Sequence, residues 1–232
     1  ISDYVDSFPK TSKSLLIGLG GGSVAKKLIE KGFEVDVCEL DQRIADVAKK
    51  YFYLSDKVNI KVDDGRHFIR TCTKKYDIIV LDMFKGEDPP NHVFTEESLT
   101  ALKGMLNPNG IIFVNSLGYF EGSIGKSMRS VYKTFQAAGF NVRALTTDPD
   151  PDQRNILFYA STGEIKSHPD FIDEKNMDLN DAVVLKDEYP VLDILNAEAA
   201  QRWRVMAIKS FEIDPNQKSL PVFEWKIIFQ QQ

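Results

Sequence analysis

The chain is poor in the residues that staple or metallate a fold. Among 232 residues there are two cysteines, Cys38 and Cys72, and three histidines, His67, His92 and His168. Neither type falls at ligand spacing and no C-x-x-C pair occurs, which excludes a zinc ribbon, implies no metal site and fits a reducing compartment such as the cytoplasm. No apolar run reaches the roughly 18 residues of a membrane-spanning helix, and no signal-peptide pattern opens the chain. This segment is therefore not expected to insert into a membrane. Charge of one sign is not in large excess: 29 basic against 34 acidic residues leave a formal charge of −5. An acidic chain is a poor partner for phosphates, so nucleic acid is not an expected ligand. Internal repeats and low-complexity runs are also missing. The chain begins at Ile1 rather than Met, the mark of a processed chain or of a fragment.

What is present is ordinary globular material, 43% hydrophobic and 27% charged, in a length that buries its core without disulfides. Ser14 to Ile17 reads as a strand that breaks into Gly18-Leu19-Gly20-Gly21-Gly22-Ser23, and helical periodicity follows. Gly32 stops that helix and Phe33 to Cys38 alternates as a strand with Glu39 at its tip. Asp41 caps a helix to about Tyr51, Val58 to Val62 is a third strand ending in Asp63-Asp64-Gly65, and Arg66 to Thr71 is a short helix. Tyr76 to Leu81 is a buried strand that ends at Asp82. After a Pro- and Asp-rich loop, a helix covers 96–105, Asn107 to Gly110 is a turn, and Ile111 to Val114 is a fifth strand. A helix over 121–138 and strands at 140–146 and 156–160 follow.

This order predicts an α/β fold with a Rossmann-like, seven-stranded, mostly parallel sheet. The last two strands are joined by a loop too short for a crossover, so the final strand runs antiparallel. That ending marks the class I methyltransferase type of sheet rather than a dinucleotide-binding one. Residues 1–162 are read as the cofactor-binding domain. Residues 163–232, irregular and with one helix over 197–210, are read as a C-terminal extension packed on the same body.

Ligands of open α/β sheets bind beyond the carboxyl ends of the strands. Four consecutive strands end there in Gly18 to Gly22, Glu39, Asp64-Gly65 and Asp82. The loop glycines Gly18, Gly20, Gly21 and Gly22 allow close backbone approach and present amides at a helix start. With Ser23 in place of a third motif glycine and no G-K-[ST], the loop is neither a full G-x-G-x-x-G nor a P-loop. Glu39 can accept ribose hydroxyls or stand as a solvated strand-end acid, and Asp64 can accept an exocyclic amine or serve as a turn residue. Asp82 leaves a dry strand and can bind an ammonium group or take a proton from an attacking amine. The long loop over this edge, MFKGEDPPNHVFT, brings Asp88 and His92 as candidate contacts for a cationic substrate. Asn115 and Ser116 end the fifth strand and could face the same pocket.

Taken together, SLLIGLGGGSVAKKL, VDVCELDQRIADVAKKYF, IKVDDGRHFI, YDIIVLDMF and LNPNGIIFVN resemble the polyamine aminopropyltransferase (spermidine synthase) family over about residues 12–162. The resemblance implies transfer of an aminopropyl group from decarboxylated S-adenosylmethionine to a small-molecule amine, leaving methylthioadenosine. It implies that Glu39 holds ribose, Asp64 the adenine amine, and Asp82 the attacking amine. Homodimers are common in the family. The 83–95 loop is similar to a branch in which such a domain follows a membrane transporter-like region. Two positions depart from the pattern: Gly21 stands where the family carries an Asp that grips the aminopropyl amine, and Lys85 where it carries a second Asp. The departures keep two other readings open. One is methyl transfer from S-adenosylmethionine with S-adenosylhomocysteine as product. The other is a nucleoside-cofactor-binding domain without chemistry.

Overall fold

A computed structural model describes residues 2–83, 89–152 and 154–210. Strands β1 (Lys13–Ile17), β2 (Glu34–Glu39), β3 (Asn59–Val62), β4 (Tyr76–Leu81), β5 (Leu106–Leu117), β6 (Asn141–Thr146) and β7 (Asn155–Ser161) form one sheet. Its order is β3-β2-β1-β4-β5-β7-β6. The β1, β2, β3, β4 and β5 neighbours pair parallel, while β7 is antiparallel to both β5 and β6. The expected doubly wound sheet with an antiparallel final strand is the one observed.

Alternation along the strands divides the core. Leu16, Ile78, Val80 and Phe113 point to one face, covered by α1 (Ser2–Val5), α2 (Ser23–Glu30) and α3 (Gln42–Tyr51). Leu15, Ile17, Ile79 and Leu81 point to the other, covered by α4 (Gly65–Thr71), α5 (Glu96–Gly104) and α6 (Lys126–Ala137). A period of two in a strand buried on both faces leaves no polar side, which is why YDIIVL reads as a continuous apolar run.

Two boundaries differ from the sequence reading. The turn at Asn107 to Gly110 lies inside the span of β5. The β4 register passes from Tyr76↔Leu106 directly to Ile78↔Ile111, and the surplus residues bulge out with Asn109 at φ 64°. The C-terminal helix α7 (Leu192–Ser210) begins earlier than residue 197 because the Asn91 side chain accepts the Asp193 N–H at 2.9 Å.

The segment between β7 and α7 is strapped across α6. Ser130 and Thr134 accept the N–H groups of Val183 and Leu185, Lys133 donates to the carbonyls of Leu179 and Ala182, and Arg129 pairs with Asp181 at 2.6 Å. These bonds satisfy the polar side chains that α6 would otherwise bury, and Leu185 and Leu192 enter the core. Among the described residues no helix is long and apolar enough to cross a membrane. No group of three or more His, Cys, Asp or Glu among them could hold a metal.

Candidate active site

The carboxyl edge is drawn together by the backbone first. The Gly18 N–H donates to the Cys38 carbonyl, the Asp63 N–H to the Glu39 carbonyl, and the Asp82 N–H to the Ile17 carbonyl. The ends of β1, β2, β3 and β4 thus meet in one row. Gly18 has φ +92°, and a β-carbon there would lie 2.2 Å from the Asp82 carbonyl oxygen. Only glycine lets the loop turn against β4. Beyond it, Gly20 faces open space, and Gly22 starts α2 with no side-chain cap, leaving the first helical turn open to a ligand.

Glu39 is buried, with 8% of its surface exposed. Its Oε2 accepts the Leu19 N–H at 2.8 Å and its Oε1 the Asp41 N–H at 2.9 Å. One carboxylate therefore fixes the glycine loop and the start of α3 together. Each oxygen retains a lone pair, so the group can also accept from two vicinal hydroxyls.

Asp64 caps α4 by accepting the His67 N–H at 3.0 Å, and its second oxygen lies 3.4 Å from His92 Nε2. The loop histidine thus stands beside Asp64 at the edge. Gly65 follows, and a β-carbon on it would press on Ile17 and Met83. Asp63 is less exposed than Asp64 and pairs with Lys61 and His67. Asp88, the other candidate acceptor contact, lies outside the described residues.

Asp82 is partly buried on the α2 face of the sheet, where its Oδ1 accepts Asn115 Nδ2 at 3.0 Å. Asn115 Oδ1 in turn accepts Asn155 Nδ2 at 2.9 Å. This second bond sets the amide: with its oxygen engaged by Asn155, Asn115 turns its NH2 to Asp82. One carboxylate oxygen is held, and among the described residues no other bond of the Asp82 side chain competes for the second. Ser116, on the opposite face, bonds to Met128 instead.

Four residues escaped the sequence reading. Asn155 opens β7 after an acidic loop, and a polar residue at the head of an apolar strand is its only local signal. Phe52 packs its ring against Gly21. Asp187, in the strap, accepts from Thr95 Oγ1 at 2.6 Å and pairs with Arg66, linking α5 and α4 behind Asp64. Tyr119 donates to Asp152 at 2.8 Å and lies under Arg202 of α7, with its hydroxyl pushed up to about 12 by burial and by that bond.

The residues present fit a sulfonium nucleoside. An open glycine cradle, a buried carboxylate with free lone pairs and a second acid two strands away are what its ribose and charged centre require. With the strand order and the antiparallel β7, this edge defines a class I S-adenosylmethionine-type transferase fold. Within that class the chain belongs to the spermine/spermidine synthase family, whose domain matches residues 5–148. The polyamine aminopropyltransferase of Vibrio vulnificus (strain CMCP6) is 38% identical over 115 residues, 47% of this chain and 38% of the relative. The N-terminal histidine N-methyltransferase of Emericella nidulans is 29% identical over 156 residues, 65% of this chain and 28% of the relative. The chain spans less than half the length of either. A probable spermidine synthase from Corynebacterium glutamicum ATCC 13032 has the same fold, with a TM-score of 0.63 at 24% identity over 72% of this chain and 62% of that one.

Proposed function

We propose that the domain transfers an aminopropyl group from decarboxylated S-adenosylmethionine to an amine. The observation that carries the reading is the Asp82 carboxylate. It stands at the end of β4 against Gly18, held at one oxygen by Asn115 and, among the described residues, open at the other. Family membership and the aminopropyltransferase relative support the same reaction.

When bound, the cofactor supplies an electrophilic propyl carbon next to its sulfonium. Glu39 would hold the ribose, the Gly18–Gly22 turn would admit the sulfur end, and Asp64 with Gly65 would face the base. Asp82 would orient the acceptor's lone pair and take its proton as the nitrogen–carbon bond forms and the carbon–sulfur bond breaks. Asn115 positions that carboxylate, and Asn155 positions Asn115. Orientation of an amine and a sulfonium in one site supplies much of the acceleration.

Calorimetric titration with methylthioadenosine and, separately, S-adenosylhomocysteine tests this. The expected result is at least tenfold tighter binding of methylthioadenosine, a gap of about 1.4 kcal/mol. Tighter binding of S-adenosylhomocysteine would replace the reading with methyl transfer. One observation favours that second reading: Gly21 is faced by the Phe52 ring, so no side-chain carboxylate of the loop would repel a carboxylated cofactor there.

A further inference from the structure

His92 is the exposed member of a run whose other members are pinned. Asn91 accepts the Asp193 N–H of α7 at 2.9 Å, Val93 and Phe94 are buried in the core, and Thr95 caps α5 and donates to Asp187 at 2.6 Å. The imidazole therefore swings from a fixed backbone, and its Nε2 lies 3.4 Å from Asp64 Oδ2. Asp64 is fixed from its own side. Its N–H donates to the Asp63 side chain at 2.9 Å, its carbonyl accepts the Phe68 N–H at 2.8 Å, and its Oδ1 accepts the His67 N–H at 3.0 Å. Oδ2 is the oxygen left for a ligand, and the histidine of the covering loop stands at it. Two fixed backbones reduce the ordering cost that makes most exposed ion pairs weak.

We propose that His92 and Asp64 form a pH-dependent clasp on the base of the nucleoside cofactor, shut when the imidazole is protonated and receptive when it is neutral. The inference rests on the reading of Asp64 given above and adds to it a residue that responds to pH. As an imidazolium, His92 has a donor on each nitrogen and no lone pair, so its Nε2–H is drawn to Asp64 Oδ2 with the help of the charge. An exocyclic amine then meets an acceptor already engaged by a cation. As a neutral imidazole with its proton on Nδ1, His92 offers the Nε2 lone pair instead. Oδ2 and Nε2 together can then accept both hydrogens of the amine. Among the described residues, the other charged or titratable groups on the elements around His92 are Asp63, Arg66 and His67 at the start of α4, Glu96 and Glu97 of α5, Asp187 of the strap and Asp193 of α7. Asp63 is paired with Lys61 and His67, Arg66 with Asp187, and Glu96 with Lys186. Carboxylates and guanidinium groups ordinarily keep their charge between about pH 5.5 and 7.5, which leaves the two imidazoles to titrate there.

Calorimetric titration with methylthioadenosine at about pH 5.5, 6.5 and 7.5 is the test. Affinity is expected to rise roughly fivefold from the lowest pH to the highest. His92→Gln, which keeps an acceptor and cannot charge, should bind at all three with the parent's affinity at the highest pH. His67→Gln should keep the rise, because its ring answers to Asp63 rather than Asp64. Both histidine side chains are more than half exposed, so both variants are expected to melt with the parent. A flat profile in the parent, or a rise that persists in H92Q or disappears in H67Q, would overturn the proposal. Asp64→Asn separates the clasp from the reading beneath it. A flat parent profile with binding weakened about tenfold in D64N would strike the clasp alone. Full affinity in D64N would strike the base reading and the clasp with it.

Discussion

The ring of Phe52 rests on Gly21, so that a β-carbon added to the glycine would come within 3.2 Å of Phe52 Cδ1. The contact joins the loop after β1 to the end of α3, and Lys26 pins it further by donating to the Phe52 carbonyl. The place beside Gly21 is therefore already filled. Gly21→Asp alone is expected to lower stability by about 1 kcal/mol and to leave affinity for decarboxylated S-adenosylmethionine within threefold of the parent. Gly21→Asp with Phe52→Ala is expected to raise that affinity at least tenfold, as read by calorimetry. A single G21D that gains as much as the pair would show that the ring does not exclude the side chain.

Glu39 carries two loads, the Leu19 and Asp41 amides. Glu39→Gln keeps the shape but turns an NH2 toward one of those donors, at a cost of about 1–3 kcal/mol. The expected outcome is a lower melting temperature together with at least tenfold weaker methylthioadenosine binding. Loss of stability with full affinity would leave Glu39 as a loop anchor and remove it from the ribose.

Asp187 lies in the strap yet ends beside Arg66 and Thr95. Asp187→Ala frees Arg66, next to Gly65, and removes the acceptor of the hydroxyl that caps α5. Methylthioadenosine affinity is expected to fall about tenfold, with Asp187→Asn, which still accepts from Thr95, recovering part of it. Equal loss in D187A and D187N would assign the effect to charge on Arg66 alone. No loss in either would confine Asp187 to the strap.

Acid sensitivity follows from carboxylates that the fold holds ionised. Burial pushes Asp36 up, but hydrogen bonds from Lys74, Asn59 and Tyr76 outweigh it and hold the group below its ordinary value. Arg129 does the same for Asp181 through its hydrogen bonds. A folded pKa below the unfolded one, about 3.9 for Asp, gives stability that is present above that value and lost as pH falls through the folded pKa. Urea midpoints should be level from about pH 6 to 5 and fall below about pH 4. Asp36→Asn should reduce both the neutral stability and the acid slope. An unchanged slope in D36N would acquit this group.

Cys38 and Cys72 should differ in reactivity. Burial, reinforced by the charges of Asp63 and Asp64, pushes the Cys38 thiol up to about 12, whereas Cys72 is partly exposed. At pH 8 iodoacetamide is expected to label Cys72 and spare Cys38 in the folded chain, as mass spectrometry would read. Equal labelling would mean that the β2 end opens.

The strands and the acids at their tips were legible because each is a local event: an apolar run, then glycine or a carboxylate. Gly18, Glu39, Asp64 and Asp82 all fall at such breaks, and the structure gathers them. Asn155 was not legible, since its bond to Asn115 spans 40 residues and depends on β7 entering between β5 and β6. Nor was Asp187, whose partner Thr95 lies 92 residues away. The early start of α7 has the same cause, because the amide of Asp193, its second residue, is met by an asparagine 102 residues upstream. Phe52 follows a helix and reads as ordinary packing. What singles it out is the missing side chain opposite, which only the folded loop reveals.

Strand β7 lies between two strands that are both made before it, so β6 has no place in the sheet until β7 arrives. Residues 13–82, which bring Gly18, Glu39, Asp64 and Asp82, need no such insertion. The two halves of the edge should therefore mature at different times. Refolding, or emergence from a ribosome, would yield first the half that carries Gly18, Glu39, Asp64 and Asp82, and the amide that steadies Asp82 would be locked only when β7 is seated.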